Sequence, residues 1–352
     1  MKSYRIACVP GDGIGREIVT EGMRVLEAAA SAGGFALDFD TFPYGAGHYK
    51  ETGAFMPEDA IAALQEYDAI YFGAVGLPDV DDTLPAKDFT FKVRTRFRQY
   101  VNYRPVRLLP GMPSPLRGSE DREIDFVIVR ENTQGEFVQA GKILNFDQPD
   151  AVAVDTSIFT RVGTQRIARY AFRLAQSRRG LVTNVTKSNT LINSLLFWDR
   201  IVGEVAEEFP DVTYEKMYVD NASANFVLRP ERFDVVLTTN MIGDILSDLG
   251  AALMGSLGLA PSGNINPEKE YPSMFEPIHG SAPDIVGKGI ANPVSAIGSG
   301  SLMLRHLGEA EAADRVDAAI AAAIKAGVLT PDLGGRATTS QMTDAVIKEL
   351  SA

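Results

Sequence analysis

Apolar and polar positions along this chain follow two periods. Strands are expected at residues 4–9, 69–75, 126–129, 181–185, 212–219 and 235–237, with 69–75 and 235–237 the apolar runs of buried strands. Helical spacing occupies 17–30, 57–66, 89–101, 191–209 and 241–249, and Ile167, Ala171 and Leu174 mark the buried face of a further helix. The Gly-, Pro- and Asn-rich stretch 255–272 reads as mostly loop. Beyond it the chain reads as helical over 293–307, 309–326 and 340–350. Strands alternating with helices predict an α/β fold with largely parallel pairing.

The chain has 352 residues, enough for two domains or one large α/β unit, and its 45% hydrophobic and 23% charged content is ordinary for a globular protein. A net charge of -12 argues against nucleic acid as a partner, because phosphate binding needs a basic field. The single cysteine, Cys8, excludes an intramolecular disulfide and sits in an apolar run as a small core residue. The start, MKSYRIACVPGDG, lacks a signal-peptide apolar region, and no apolar stretch approaches membrane-spanning length. The expectation is a cytoplasmic protein with no membrane partner.

Between the first strand and helix, Gly11-Asp12-Gly13-Ile14-Gly15 has the spacing G-x-G-x-G rather than the dinucleotide-binding G-x-G-x-x-G. Dinucleotide binding and a plain tight turn both stay open for it. The run 92–107, KVRTRFRQYVNYRPVR, gathers Lys92, Arg94, Arg96, Arg98, Arg104 and Arg107 in an acidic chain. Arginine forks take carboxylates two bonds at a time, so this patch points to an anionic small molecule. On a helix Arg94 and Arg98 would share a face, whereas Arg104, just before Pro105, is expected to be extended. Arg96 and Arg98 are expected on solvated surface.

Arg130-Glu131-Asn132 and Thr186-Lys187-Ser188-Asn189 each follow a strand, where open α/β sheets place ligand groups. Lys187 would shuttle a proton there if burial or nearby cations lowered its pKa; otherwise it is simply solvated. Asp244 and Asp248 stack on one helix face and repel each other, which a divalent cation would offset. With Asp220, closing another strand, they make three carboxylates, a set that suits Mg²⁺ or Mn²⁺. A solvated face with incidental acids is the other reading of that helix.

The stretches PGDGIG (10–15), GAVG (73–76), NYRPVR (102–107), REN (130–132), TKSN (186–189), GDILSD (243–248) and EPIHGSAPDIVGKGIANP (276–293) carry a more specific signal together. Across nearly the whole chain they resemble the β-decarboxylating dehydrogenase family of isocitrate, isopropylmalate, homoisocitrate and tartrate or D-malate dehydrogenases. FVLRPERFDVV (226–236) and APSGNINPEKEYPSMFEP (260–277) look most like the tartrate/D-malate branch, whereas MYVDNA (217–222) looks more like isopropylmalate dehydrogenase.

The resemblance implies a two-domain, isopropylmalate dehydrogenase-like α/β fold with a mostly parallel sheet, not a standard Rossmann fold. Residues 1–100 with 250–352 would form the larger, cofactor-binding domain. Residues 101–249 would form a smaller one holding the dimer interface and the metal-binding aspartates. Arg94, Arg104 and Arg130 match arginines that hold the carboxylates of a malate-like substrate, and Asp220, Asp244 and Asp248 match the ligands of Mg²⁺ or Mn²⁺. Lys187 matches the lysine that assists removal of the hydroxyl proton as hydride leaves for the nicotinamide, with Asp220 as its catalytic companion. Family members bury their sites at a dimer interface, so Lys187 and Asp220 would serve the other chain of a homodimer. The dinucleotide would fall on Glu276, His279, Gly280, Ser281, Ala282, Asp284, Ile285 and Asn292, and the N-terminal GDGIG would not be a Rossmann fingerprint. Asp284 can accept hydrogen bonds from both ribose hydroxyls but would repel a 2′-phosphate. Isocitrate enzymes that use NADP carry lysine and tyrosine at the positions of Asp284 and Ile285, so NAD is the expected cofactor. A need for K⁺ stays open.

Two departures matter. The family tyrosine that protonates the enol after decarboxylation falls at Phe137, and the acid expected shortly before it is Gln134. Another proton donor, oxidation without efficient decarboxylation, or a non-catalytic regulatory or binding paralogue would each account for this. Thr90 stands where isopropylmalate enzymes use an apolar contact, which favours a small or polar group at C3 of the substrate. The expected activity is NAD- and divalent-metal-dependent oxidation, with decarboxylation, of tartrate or D-malate. The alternatives are 3-isopropylmalate dehydrogenase and the non-catalytic paralogue.

Overall fold

A computed structural model describes residues 2–112, 114–119 and 122–351. The chain runs through β1 (Lys2–Gly11), α1 (Gly15–Gly33), β2 (Phe35–Thr41), α2 (Ala46–Thr52), α3 (Ala60–Gln65), β3 (Ala69–Ala74) and the single turn α4 (Thr83–Pro85). A π-helical turn, Ala86–Thr90, leads into α5 (Phe91–Arg96), and β4 (Val101–Arg107) follows. Next come β5 (Asp125–Glu131), β6 (Gly135–Leu144), β7 (Val152–Ile158), α6 (Arg161–Gln176), β8 (Leu181–Thr186) and α7 (Ser194–Ala206). They are followed by β9 (Thr213–Tyr218), α8 (Val219–Leu228), β10 (Val235–Thr238) and α9 (Asn240–Leu253). β11 (Pro261–Ile265), β12 (Ser273–Pro277), α10 (Val294–Leu307), α11 (Ala310–Lys325) and α12 (Thr339–Leu350) end the described chain.

Two compact units result. The first comprises Met1–Gln99, Arg104–Glu123 and Ala251–Ala352; the second comprises Tyr100–Tyr103 and Ile124–Gly250. Residues 104–123, which the sequence reading grouped with the middle segment, cluster with the unit that holds both ends of the chain.

In the first unit the strands lie in the order β2-β1-β3-β12-β11. All pair in parallel except β11, which runs antiparallel to β12. One face of α1 is buried through Ile18, Val19, Val25 and Leu26, the helical stripe its sequence encodes. A second apolar cluster joins Phe55, Phe72, Phe89, Val93, Phe97 and Met274, so α5 and the π-helical turn are anchored on their apolar side. In the second unit β5-β10-β8-β9 are all parallel. Phe126, Phe226 and Phe233 pack there with ring centroids 4.8–5.8 Å apart. The buried Trp198 satisfies its indole N–H on Asn184 Oδ1 at 2.8 Å. β6 and β7 form a separate antiparallel pair. Among the described residues no helix is long and apolar enough to cross a membrane.

Three elements differ from the sequence reading. The helix expected over 89–101 stops at Arg96, because Arg98 takes φ +48° and the chain then extends as β4. The stretch 255–272 is not all loop, since pairing with β12 draws the polar Pro261–Ile265 into a strand. Asp220 does not close a strand; it lies in the first turn of α8, which begins where β9 ends.

Candidate active site

β5 delivers Arg130 opposite Thr238 of β10, just before α9 begins. The Arg130 side chain is 2% exposed, so its N–H groups need protein acceptors. Nε and Nη2 both donate to Asn240 Oδ1, at 2.9 and 2.7 Å, and Nη1 donates to Asp244. Gly243 makes room for this arrangement, because a Cβ there would come within 2.7 Å of Arg130 Cβ and Cγ. That close approach is the physical reason for the glycine before the first aspartate of GDILSD. Asp244 is half-exposed and Asp248 exposed on the next turn of the same helix.

The start of α9 is fixed from β6. Glu136 accepts from Thr239 Oγ1 at 3.1 Å and from the Met241 N–H at 3.2 Å, a carboxylate placed where the helix dipole favours it. Gln134 Oε1 accepts from the N–H and hydroxyl of Thr160, at 2.9 and 3.1 Å, and so braces the N-cap of α6. The fully buried Glu131 accepts from Thr133 N–H, Thr133 Oγ1 and Gln134 N–H. Burial pushes its carboxyl above the usual range against those bonds. The Phe137 ring centroid lies 5.6 Å from the Arg130 guanidinium. Lys187, just after β8, pairs through Nζ with Asp220 of α8. This ammonium holds the Asp220 carboxyl below the usual carboxylate range. The three aspartates therefore fall into two sets, Asp244 with Asp248 and Asp220 with Lys187. Among the described residues, no three His, Cys, Asp or Glu side chains gather as a metal site.

In the first unit, Arg94 of α5 is buried and donates through Nη2 to Glu276 Oε1 at 2.8 Å. Arg104 is buried on β4. Arg96 and Arg98 are exposed, and Arg98 donates to Glu270 at 3.2 Å. Thr90 is buried at the end of the π-helical turn and lines a cavity of about 500 Å³ with Val75, Gly76, Pro85, Ser281 and Pro283.

The GDGIG turn organises the loop after β12. Asp12 accepts the N–H groups of Ala46, Gly47 and Gly76 at 2.7–3.0 Å. The Ile14 N–H bonds Ser281 O at 2.9 Å, and at Gly13 (φ +57°) a Cβ would collide with that same carbonyl. A second cavity, about 420 Å³, is lined by Ile14, His279, Ala282, Ile285, Asn292 and Asp332 among others. Its volume is in the range of small-molecule sites. Ala282 sits at φ +41°, a strained position for a residue with a Cβ. His279 Nε2 contacts Ser295 Oγ at 2.8 Å, and burial pulls its imidazole below the ordinary value, leaving it neutral near pH 7. Asp284 and Ile285 lie on the short turn Pro283–Ile285, with Asp284 and Gly280 exposed.

Sequence reasoning missed Asn240, Glu136 and Asp332. Asn240 carried a signal, an amide at a strand-to-helix junction. Asp332, which accepts from Asn292 Nδ2 at 3.0 Å and Ser256 Oγ at 2.6 Å, carried none beyond its turn composition.

Residues 5–346 match the family model described as isocitrate/isopropylmalate dehydrogenase. A probable tartrate dehydrogenase/decarboxylase of Agrobacterium vitis is 48% identical over 353 residues, covering 100% of this chain and 99% of that protein. The D-malate dehydrogenase [decarboxylating] of Escherichia coli K12 is 50% identical over 356 residues, covering 99% of each. The crystal structure of isocitrate dehydrogenase from Methylococcus capsulatus superposes with a TM-score of 0.90 at 34% identity, covering 99% of this chain and 100% of that one. Sequence and fold agree over the full length, and the chain belongs to the isocitrate/isopropylmalate dehydrogenase family, as an oxidatively decarboxylating dehydrogenase.

Proposed function

We propose that the chain oxidises and decarboxylates a malate-like 2-hydroxy diacid, tartrate or D-malate, with NAD as hydride acceptor and Mg²⁺ or Mn²⁺ at its aspartates. The observation that carries this reading is the buried guanidinium of Arg130 set against Asp244: a carboxylate-binding fork beside a hard oxygen ligand. The relatives at 48% and 50% identity, one named for tartrate and one for D-malate, support the substrate class.

In this reading Arg94, Arg104 and Arg130 bind and orient the substrate carboxylates. Lys187, beside Asp220, assists removal of the hydroxyl proton and would take it up as the neutral amine. Thr90 faces the C3 substituent, where its hydroxyl suits a hydrogen or hydroxyl better than an isopropyl group. The donor set fits the metal: Asp244 and Asp248 offer oxygens from successive turns of α9, and Asp220 supplies a third carboxylate from a second copy of the chain. Once bound, the metal supplies Lewis acidity for oxidation at C2 and loss of CO₂. The 420 Å³ cavity beside Ile14, His279, Ile285 and Asn292 suits the adenosine half of the dinucleotide. Asp284 favours ribose hydroxyls over a 2′-phosphate there.

The second unit carries the apolar surface a dimer needs. Ile143, Leu144, Phe146, Val152 and Val154 are exposed on or beside the β6–β7 pair, and an isolated two-stranded pair is marginal in water. Ile192, Leu228 and Ile245, at 61, 64 and 65% exposure, lie near Lys187, on the helix of Asp220, and next to Asp244. The site residues are thus bordered by surface that a second copy would cover.

The test is a panel of D-malate, the tartrates and isopropylmalate with NAD or NADP, with and without Mn²⁺, following NADH and CO₂. Turnover of D-malate or a tartrate with NAD, dependent on Mn²⁺, is expected. Activity confined to isopropylmalate overturns the substrate assignment, and a preference for NADP overturns the cofactor.

A further inference from the structure

Glu276 matches the family's dinucleotide stretch, yet its side chain is engaged elsewhere. It is 10% exposed at the end of β12, and its Oε1 accepts from Arg94 Nη2 at 2.8 Å and from Asn264 Nδ2 at 2.6 Å. Register explains the second bond: Glu276 lies opposite Ser262, and Asn264 is two residues along β11 on the same face. The Asn264 amide therefore fixes the carboxylate, and the carboxylate fixes Arg94. The Arg94 side chain is only 8% exposed, and its buried Nε has no hydrogen-bond partner among the described residues. A buried guanidinium N–H without an acceptor is costly, and it stays where a ligand supplies the missing oxygen.

We propose that Glu276 is a positioning residue for substrate binding: it grips Arg94 by Nη2 and leaves the Nε edge for a carboxylate of the diacid. This rests on the reading of Arg94 as a substrate arginine, and it gives Glu276 a role distinct from contact with the dinucleotide. Asn264 is the next member of the same chain of bonds.

The test compares wild type, Arg94→Gln, Glu276→Ala and Glu276→Gln as holoenzymes with NAD and Mn²⁺. Three readouts are taken: KM for D-malate or tartrate, whichever is turned over; diacid affinity from protection against thermal unfolding; and NADH affinity from fluorescence. Glu276→Ala is expected to raise the diacid KM by about tenfold or more while NADH affinity moves less than about threefold. Glu276→Gln keeps an acceptor for Nη2 and is expected to recover most of the lost diacid affinity. If Glu276→Ala weakens NADH and spares the diacid, or if Gln fails to rescue Ala, the proposal is overturned. If Arg94→Gln itself leaves the diacid KM unchanged, the reading of Arg94 falls instead. Should Glu276→Ala not fold, Gln and Asp decide: the proposal requires Gln to bind diacid better than Asp, whose shorter reach loses Arg94, and the reverse order overturns it.

Discussion

At Arg130 every guanidinium nitrogen has an acceptor on α9, two of them converging on Asn240 Oδ1. Asn240→Ala removes the acceptor that Nε and Nη2 share and lets the fork shift toward Asp244. It should cost about 1–3 kcal/mol of stability. It should also raise the diacid KM more than tenfold on the order-of-magnitude scale for a lost charge-assisted pair; an unchanged KM would mean Arg130 needs no such hold. Phe137 stacks near the same guanidinium but cannot deliver a proton. In wild type NADH and CO₂ should therefore form ahead of the keto acid, and Phe137→Tyr should shorten that lag. Keto acid appearing in step with CO₂ in the wild type would point to another donor. His306 makes a pH prediction. Burial, with Lys269 nearby, pushes its imidazole down to about 4, while an unfolded histidine titrates near about 6.5. The unfolded state alone takes up the proton between those values, so this contribution to stability is complete above the unfolded value and lost as pH falls toward about 4. From pH 7 to pH 4, His306→Gln should gain on wild type by on the order of 3 kcal/mol in denaturant unfolding.

The turn between β1 and α1 does its work as a spacer. Its backbone lies so close to β3 and to the 279–285 loop that Gly11, Gly13 and Gly15 could not carry a Cβ without colliding with carbonyls of Ala74, Ser281 and Pro10. Gly13→Ala adds left-handed strain of about 1–3 kcal/mol and pushes Ser281 away from Ile14. NADH binding should weaken several-fold while diacid protection against unfolding persists; unaltered NADH affinity would separate the turn from the dinucleotide loop. The strands named by apolar runs and the long amphipathic helices were legible because burial on both faces, or on one stripe, writes itself into composition. The β6–β7 pair was not, because its apolar residues lie on exposed surface and follow no core-facing period. α8 was hidden because it starts directly at the end of β9. β11 owes its extended form to β12 rather than to its own Pro-Ser-Gly-Asn sequence. The same limit held at the site: motifs pointed to Arg130, Asp244 and Lys187, but the bonds from Asn240 and from Glu276 arise only when distant strands and helices meet.

A single chain holds the proposed proton carrier and the proposed metal ligands in two separate sets, Lys187 with Asp220 and Arg130 with Asp244 and Asp248. If two copies exchange these sets across a two-fold axis, each site takes Lys187 and Asp220 from one copy and Arg130, Asp244 and Asp248 from the other. Complementation then has a sign that a one-chain site cannot give. Lys187→Met and Asp244→Asn are each expected to abolish turnover alone, because every site in either homodimer has lost one essential group. When the two are mixed and allowed to exchange, each mixed dimer contains one doubly impaired site and one intact site. Random exchange makes half of the dimers mixed, so activity should return to about a quarter of wild type. With sites built from one chain, both sites of a mixed dimer stay defective and nothing returns. The exchange itself needs an intact interface. Phe146→Asp, which puts a charge on a residue 72% exposed in the single chain, should shift sedimentation toward monomer and block the recovery. Recovery that survived in a monomeric variant would rule out the shared site.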